Sequence, residues 1–222
     1  MLLGRGGDVP APRTALILLA ASGLGGCESG AGTSRPAPSA TAEPAEAWRE
    51  VASSESEQAI EALPRLWQEA VGQAPRGRAS AELLEPSRAL ARAAPAPGPY
   101  RCSATRLTPA AAAAKRGARA VTQKAGFCFV GVSGDRLSLT AEAPSARFGG
   151  YLWETADSKA LVFLGGVSAG AGRPPRAYRD DPASDVAGLF QRIGEFRYRL
   201  AVPSGPGGGV LVVELLAAPA PT

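Results

Sequence analysis

The chain has 222 residues, 45% of them hydrophobic and 6% aromatic, with a formal net charge of +4 and no histidine. That is enough apolar material for one domain with appendages, with a core drawn mainly from Val, Leu, Ile and Ala. The weak positive charge gives no case for nucleic acid, which needs a concentrated basic face, and the missing histidine removes the commonest general base near neutral pH.

Residues 1–26 read as a lipoprotein signal peptide. Arg5 and Arg13 precede an apolar stretch around Ala15–Ala21 of about ten residues, short of the ~20 that span a bilayer. Leu24-Gly25-Gly26-Cys27 then spells a lipobox. A small residue before the cysteine admits the peptidase, and the thiol takes a diacylglyceryl group. Each buried methylene of such chains contributes ~0.8 kcal/mol, so several chains hold a protein on a membrane. The expected location is the bacterial cell envelope, facing the periplasm. Glu28, standing where Asp would favour the inner membrane, points to the outer one. Cleavage removes Arg5, Arg13 and Asp8 and takes the net charge from +4 to +3. The following stretch, 27–45, is the lipidated cysteine and a Pro/Ala/Ser linker with nothing to bury.

From residue 46 to 94 the pattern is helical. Trp48, Val51, Ala59, Leu63, Leu66, Trp67 and Ala70 recur at spacings of three, four and seven. Pro64 lacks an amide donor, so the pattern predicts two helices, or one that is kinked or broken there. A shorter helix is expected over Ser80–Ala93. Trp48 and Trp67 are read as anchors of this layer.

Residues 95–217 have the texture of an antiparallel β domain. Strands are expected over Tyr100–Leu107, Gly126–Val132, Arg136–Ala141, Phe148–Thr155 and Ala160–Leu164, then over Val186–Ile193, Glu195–Val202 and Gly209–Leu216. In "EFRYRLAV", Phe196, Tyr198 and Leu200 alternate with Arg197 and Arg199. The alanine-rich segment Thr108–Arg119, with Lys115 and Arg116, is expected as a helical turn on a surface loop. The fold class is thus α+β, mainly β: a helical segment packing on a small antiparallel barrel or sandwich of about eight strands. The barrel is favoured because closure removes exposed edges. Residues 218–222 form a tail.

Cysteine parity supports the exported address. With Cys27 carrying lipid, Cys102 and Cys128 remain and can pair in an oxidising compartment, stabilising the fold by about 3 kcal/mol. Two buried free thiols are the alternative. Two cysteines without histidine do not make a metal site, and no cofactor is expected.

The segments "AWREVASSESEQAIEALPRLWQEAV", "LLEPSRAL", "GPYRCSATRL", "ALVFLG" and "SDVAGLFQRIGEFRYRLAVP … VVELL" follow one another as in the domain-of-unknown-function family numbered 4893, which the chain resembles over roughly residues 46–217. The resemblance implies an alphaproteobacterial exported protein and no assigned activity. The family's Tyr-Arg-Cys and Phe-x-Cys-like segments match Tyr100-Arg101-Cys102 and Phe127-Cys128, and its Tyr…Asp…Asp-x-x-Gly stretch matches Tyr178, Asp181, Asp185 and Gly188. Two departures are Pro144-Ser145-Ala146-Arg147 in place of Gly-Ser-Gln-Arg, and Gly207–Gly209 in place of a Glu-Ser pair.

Gly166-Val167-Ser168-Ala169-Gly170 spells a nucleophile elbow. An elbow needs a helix after it, whereas Arg173-Pro174-Pro175 follows soon after, and without histidine the Ser-His-Asp arrangement is impossible. Ser168 is therefore read as part of a turn. Asp180, Asp181 and Asp185 lie among Arg176, Arg179 and Arg192 and are read as a surface ion-pair network. Tyr178, Asp181, Asp185 and Arg192 remain the candidate ligand-binding residues. Glu214 is expected to face outward, or to sit inside a barrel paired with an arginine. The function expected is that of a non-catalytic binding or structural module on a membrane, with a protein, glycan or lipid partner in the envelope. The alternatives are a glycan-cleaving enzyme using two carboxylates and a barrel carrying an apolar ligand.

Overall fold

The computed structural model describes residues 46–74, 79–112, 117–144, 146–170, 172–205 and 209–218. The signal peptide, the linker with Cys27, Lys115 and Arg116 of the alanine-rich loop, and the tail beyond Ala218 lie outside the described residues. The fold is mainly antiparallel β: an eight-stranded closed barrel plus one extra strand, preceded by a few helices.

Helix α1 (Trp48–Val51) leads into α2 (Ser54–Gln73). The break falls at Ala52 and Ser53, not at Pro64. Both residues are extended, and Ser53 Oγ accepts the Ser56 amide at 3.2 Å, satisfying one of the helix's orphan donors. Pro64 lies inside α2 without interrupting it, which corrects the expectation of a broken helix. A proline inside a helix costs ~3 kcal/mol. Ile60, Leu63, Trp67 and Ala70 are all buried on one face spanning the proline. At ~1.5–3 kcal/mol for each large apolar side chain, that face outweighs the penalty.

The helix expected over Ser80–Ala93 is only a turn, α3 (Ala81–Leu84), followed by a 3-10 turn at Pro86–Arg88. Ser80 caps α3 through the Leu83 amide at 3.2 Å. Pro86 has no N–H with which to continue it, and Glu85 and Ala89 are extended.

The strands are β1 (Gly98–Thr108), β2 (Arg119–Thr122), β3 (Gly126–Ser133), β4 (Arg136–Ala143), β5 (Ala146–Glu154), β6 (Ala160–Val167), β7 (Asp185–Gly194), β8 (Arg197–Pro203) and β9 (Val210–Ala217). From β3 onward each pairs antiparallel with the next. β1 then zips to β9 over Tyr100–Leu107, which decides for a barrel against a sandwich. On its other side β1 pairs first with β3 and then, over Thr105–Thr108, with β2. β2 therefore continues the line of β3 past an irregularity at Gln123, whose amide reaches the Ala104 carbonyl at 2.8 Å.

Strand alternation sends Tyr100, Cys102 and Ala104 inward, with Val130, Leu139, Phe163 and Leu200 from other strands. Cys102 and Cys128, both buried, are joined by a disulfide with Cα atoms 5.8 Å apart. Few as they are, the aromatics concentrate here. Phe148 lies 5.4 Å from Phe163, and Tyr198 lies 5.6 Å from Phe190 and 5.9 Å from Tyr100, centroid to centroid. The core is still drawn mostly from Val, Leu, Ile and Ala, as expected, with these few aromatics set among them.

Burial pushes the phenols of Tyr100 and Tyr198 above their ordinary value of 10.0. The unfolded chain releases these protons near 10, while the folded chain still holds them. Their contribution is thus full below pH 10 and is lost as pH rises through the folded values. Stability is expected to fall in that alkaline range. Phenolate difference absorbance should show two of the four tyrosines titrating late, and four tyrosines titrating together near 10 would refute this.

The helices cover one side of the barrel. α2 packs Leu63, Trp67 and Ala70 on Leu107, Ala201, Val210 and Val212. Trp48 and Ile60 pack on Trp153, Val162 and Leu164. Arg197 and Arg199 do lie on the face opposite Tyr198 and Leu200, but this layer covers it, and Arg199 is fully buried. Phe196 leaves the pattern: it sits in the β7–β8 turn with φ 52 and is exposed. Glu214 faces outward, pairing with Arg197 at 2.6 Å. The wall formed by β3 is bare, with Phe127 and Phe129 exposed.

Candidate functional site

The two ends of the barrel differ. At the end where β1 begins, residues 90–97 run across the opening. Leu90 donates to the Arg192 carbonyl at 2.8 Å, and Ala93 donates to Ser158 at 3.2 Å while packing on the interior. Tyr100 donates its hydroxyl proton to the Ala96 carbonyl at 2.7 Å. That end is closed.

The other end opens into a cavity of about 730 Å³. Phe148, Val186, Val202 and Leu211 give it an apolar lining, and the start of α2 contributes Ser53 and Ser56. Arg106 also lines it. The alternation that turns Tyr100, Cys102 and Ala104 inward puts Arg106 at the next inward position, at the mouth. Its Nη1 donates to Ser204 Oγ. Arg147 and Arg179 complete the basic part of the lining.

Tyr178 fixes this geometry. Its hydroxyl accepts the Ser53 amide at 2.9 Å and donates to Ser56 Oγ at 2.7 Å, tying the loop between β6 and β7 to the start of α2. Arg179 follows with φ 72, a left-handed conformation uncommon for a non-glycine residue. Its amide donates to Asp185 Oδ1 at 2.9 Å, which holds the turn.

The match to known families covers this whole assembly. Residues 48–215, from the first residue of α1 into β9, match the family described as Domain of unknown function (DUF4893). The chain belongs to the DUF4893 family. No curated protein and no solved structure matches it.

In this DUF4893 domain the sequence candidates separate. Asp185 lines the cavity and Tyr178 braces it. Tyr178 also borders a smaller cleft of about 290 Å³ with Tyr151 and Trp153. Asp181 does not line the mouth: it accepts the Ala183 amide at 3.2 Å and pairs with Arg176. Arg192 is at the closed end, and among the described residues the ion-pair network expected around Asp180, Asp181 and Asp185 reduces to the pair Arg176–Asp181. Ser168 lies in the turn after β6, donating its hydroxyl proton to the carbonyls of Gly170 and Arg173. Among the described residues, no three of His, Cys, Asp and Glu gather as a metal would need.

Two acids, Glu55 and Asp185, line the mouth. Hydrogen bonds from its own backbone amide, then from Ser53 and Ser54, hold the Glu55 carboxyl below its ordinary value. That is opposite to the rise a general acid needs. Sequence reasoning missed Arg106, Arg147 and the serines of α2. The one signal for Arg106 was its place in phase with inward residues of β1, where a charge breaks the apolar pattern.

Proposed function

We propose that this DUF4893 protein is an envelope lipoprotein, held on a membrane by lipid on Cys27, whose barrel binds a ligand at its open mouth and performs no catalysis. The observation that carries the binding reading is the cavity of about 730 Å³ at the one end that residues 90–97 leave open. Its size falls within the ~300–1,000 Å³ typical of ligand pockets, and its lining mixes apolar walls with a few placed polar groups. The tether rests on Leu24-Gly25-Gly26-Cys27 and the linker behind it. The disulfide between Cys102 and Cys128 agrees with an oxidising compartment such as the periplasm. Glu28 favours the outer membrane. The partner is an envelope protein, glycan or lipid.

Two measurements test this. Cys27→Ser is expected to abolish acyl labelling and move the protein from the membrane to the soluble fraction; labelling that survives ends the tether. Purified protein is expected to turn over none of a panel of envelope glycans, esters and peptides. Turnover that disappears in Ser168→Ala or Asp181→Asn would replace the binding reading with an enzymatic one.

A further inference from the structure

The charges at the mouth do not cancel. Arg106, Arg147 and Arg179 line it against Glu55 and Asp185. Asp185 already takes the Arg179 amide at 2.9 Å, and hydrogen bonding at the start of α2 holds the Glu55 carboxyl below its ordinary value. Among the described residues, none of the three arginines forms an ion pair. Arg106 occupies an inward position of β1 beside the apolar lining, and its bond goes to the neutral hydroxyl of Ser204. A guanidinium beside apolar walls is costly unless its donors are met, and a carboxylate or phosphate meets them with two parallel charge-assisted bonds.

The lining below is apolar. Phe148, Val202 and Leu211 are each at most 5% exposed, and the interior beyond them is filled by Phe163 and Phe190 at 0%. A ligand therefore enters the mouth but does not thread the barrel. We propose that the mouth binds an anionic amphiphile, its carboxylate or phosphate held by Arg106 and Arg179 and the start of its hydrocarbon chain lying on the accessible apolar lining of Val167, Val186 and Pro203. This rests on the reading of the mouth as a ligand site and adds the chemical class.

The test uses the full chain carrying Cys27→Ser, so that no anchor competes. Laurate, dodecyl phosphate and dodecanol are titrated against protein preloaded with the fluorescent anion anilinonaphthalene sulfonate. Laurate and dodecyl phosphate are expected to displace it at concentrations about tenfold or more below dodecanol. Arg106→Gln should weaken both anions by a similar factor, while Arg65→Gln, on the exposed side of α2, should not. Arg179→Gln, in a loop, serves if the first variant does not fold. Sedimentation with phosphatidylglycerol vesicles separates the sources: binding weakened by Arg106→Gln identifies a membrane headgroup, and binding of the soluble anions alone identifies a free amphiphile. Dodecanol binding as tightly as laurate, or an equal loss in Arg65→Gln, overturns the anion requirement and leaves a ligand site standing. Displacement by none of the three overturns the ligand site as well.

Discussion

Arg199→Met is expected to lower the stability of the folded chain by roughly 3–5 kcal/mol, because it strands several buried acceptors at about 1–3 kcal/mol each. Arg199 is 0% exposed. Its Nε and Nη2 donate to Gln191 Oε1 at 2.9 and 2.7 Å. Its Nη1 donates to the carbonyls of Leu83 at 2.9 Å and Glu85 at 2.7 Å, and Nη2 to that of Pro86 at 2.9 Å. The guanidinium also lies 4.4 Å from the Trp67 ring centroid. Among the described residues no carboxylate hydrogen-bonds it; carbonyl dipoles carry the compensation. One side chain thus ties the α3 segment, α2 and the barrel wall together. Burial pushes its pKa down to about 10, which leaves it charged at neutral pH. Methionine keeps much of the volume but strands buried acceptors, each costing about 1–3 kcal/mol. Lysine keeps the charge without the planar fork, so Arg199→Lys is expected to recover only a small part of the loss. Urea denaturation reads both variants, and a change below about 1 kcal/mol in Arg199→Met would remove this role.

The second large effect is expected at the disulfide. Cys102→Ala combined with Cys128→Ala should cost about 3.5 kcal/mol, the chain-entropy value for a loop of this size, here a separation of 26. The bridge also lies where β1 changes partners. β1 pairs with β3 only from Gly98 to Cys102 before β2 takes over. The crosslink fixes that short register from inside the barrel. Both cysteines are at most 3% exposed, so reduction should be slow in native buffer and fast once the chain unfolds. Peptide mapping without reductant should recover residues 102 and 128 joined. Two free thiols in the native protein, or unchanged stability in the double variant, would contradict this.

The eight barrel strands were legible through alternation in β1, β3 and β4, and through short, nearly unbroken apolar runs bounded by turn residues in β6, β8 and β9, which are buried on both faces. β2 was not legible: Arg119–Thr122 is four residues long and carries no buried position. Pro64 misled because a local penalty was weighed without the buried face around it. Alternation put Arg197 and Arg199 on the face opposite Tyr198 and Leu200, but alternation shows which residues share a face and not what covers it. At the mouth the sequence offered Asp185 as a candidate, while Arg106, the charge that breaks the inward pattern of β1, was passed over. Tyr178, named as a candidate ligand-binding residue, stands beside the mouth, where it braces α2 by two hydrogen bonds. Arg192 lies away from the mouth, because nearness in sequence to Asp185 carries a β7 residue to the opposite end of its own strand.

The seam between β1 and β9 has a consequence for the order in which the molecule assembles. Tyr100 pairs with Ala217 and Leu107 with Val210, so the ring closes between segments about a hundred residues apart. A chain emerging from its N-terminus can form hairpins from β3 to β8 in sequence, but β1 waits with one row of amides and carbonyls unsatisfied until the last strand arrives. During that interval the edge is a template for any other extended chain. Late closure by sequence-distant strands is also slow. The most hazardous moment in the life of this barrel is therefore just before its final strand docks, and a nascent chain stalled short of Val210 should aggregate where the complete one folds.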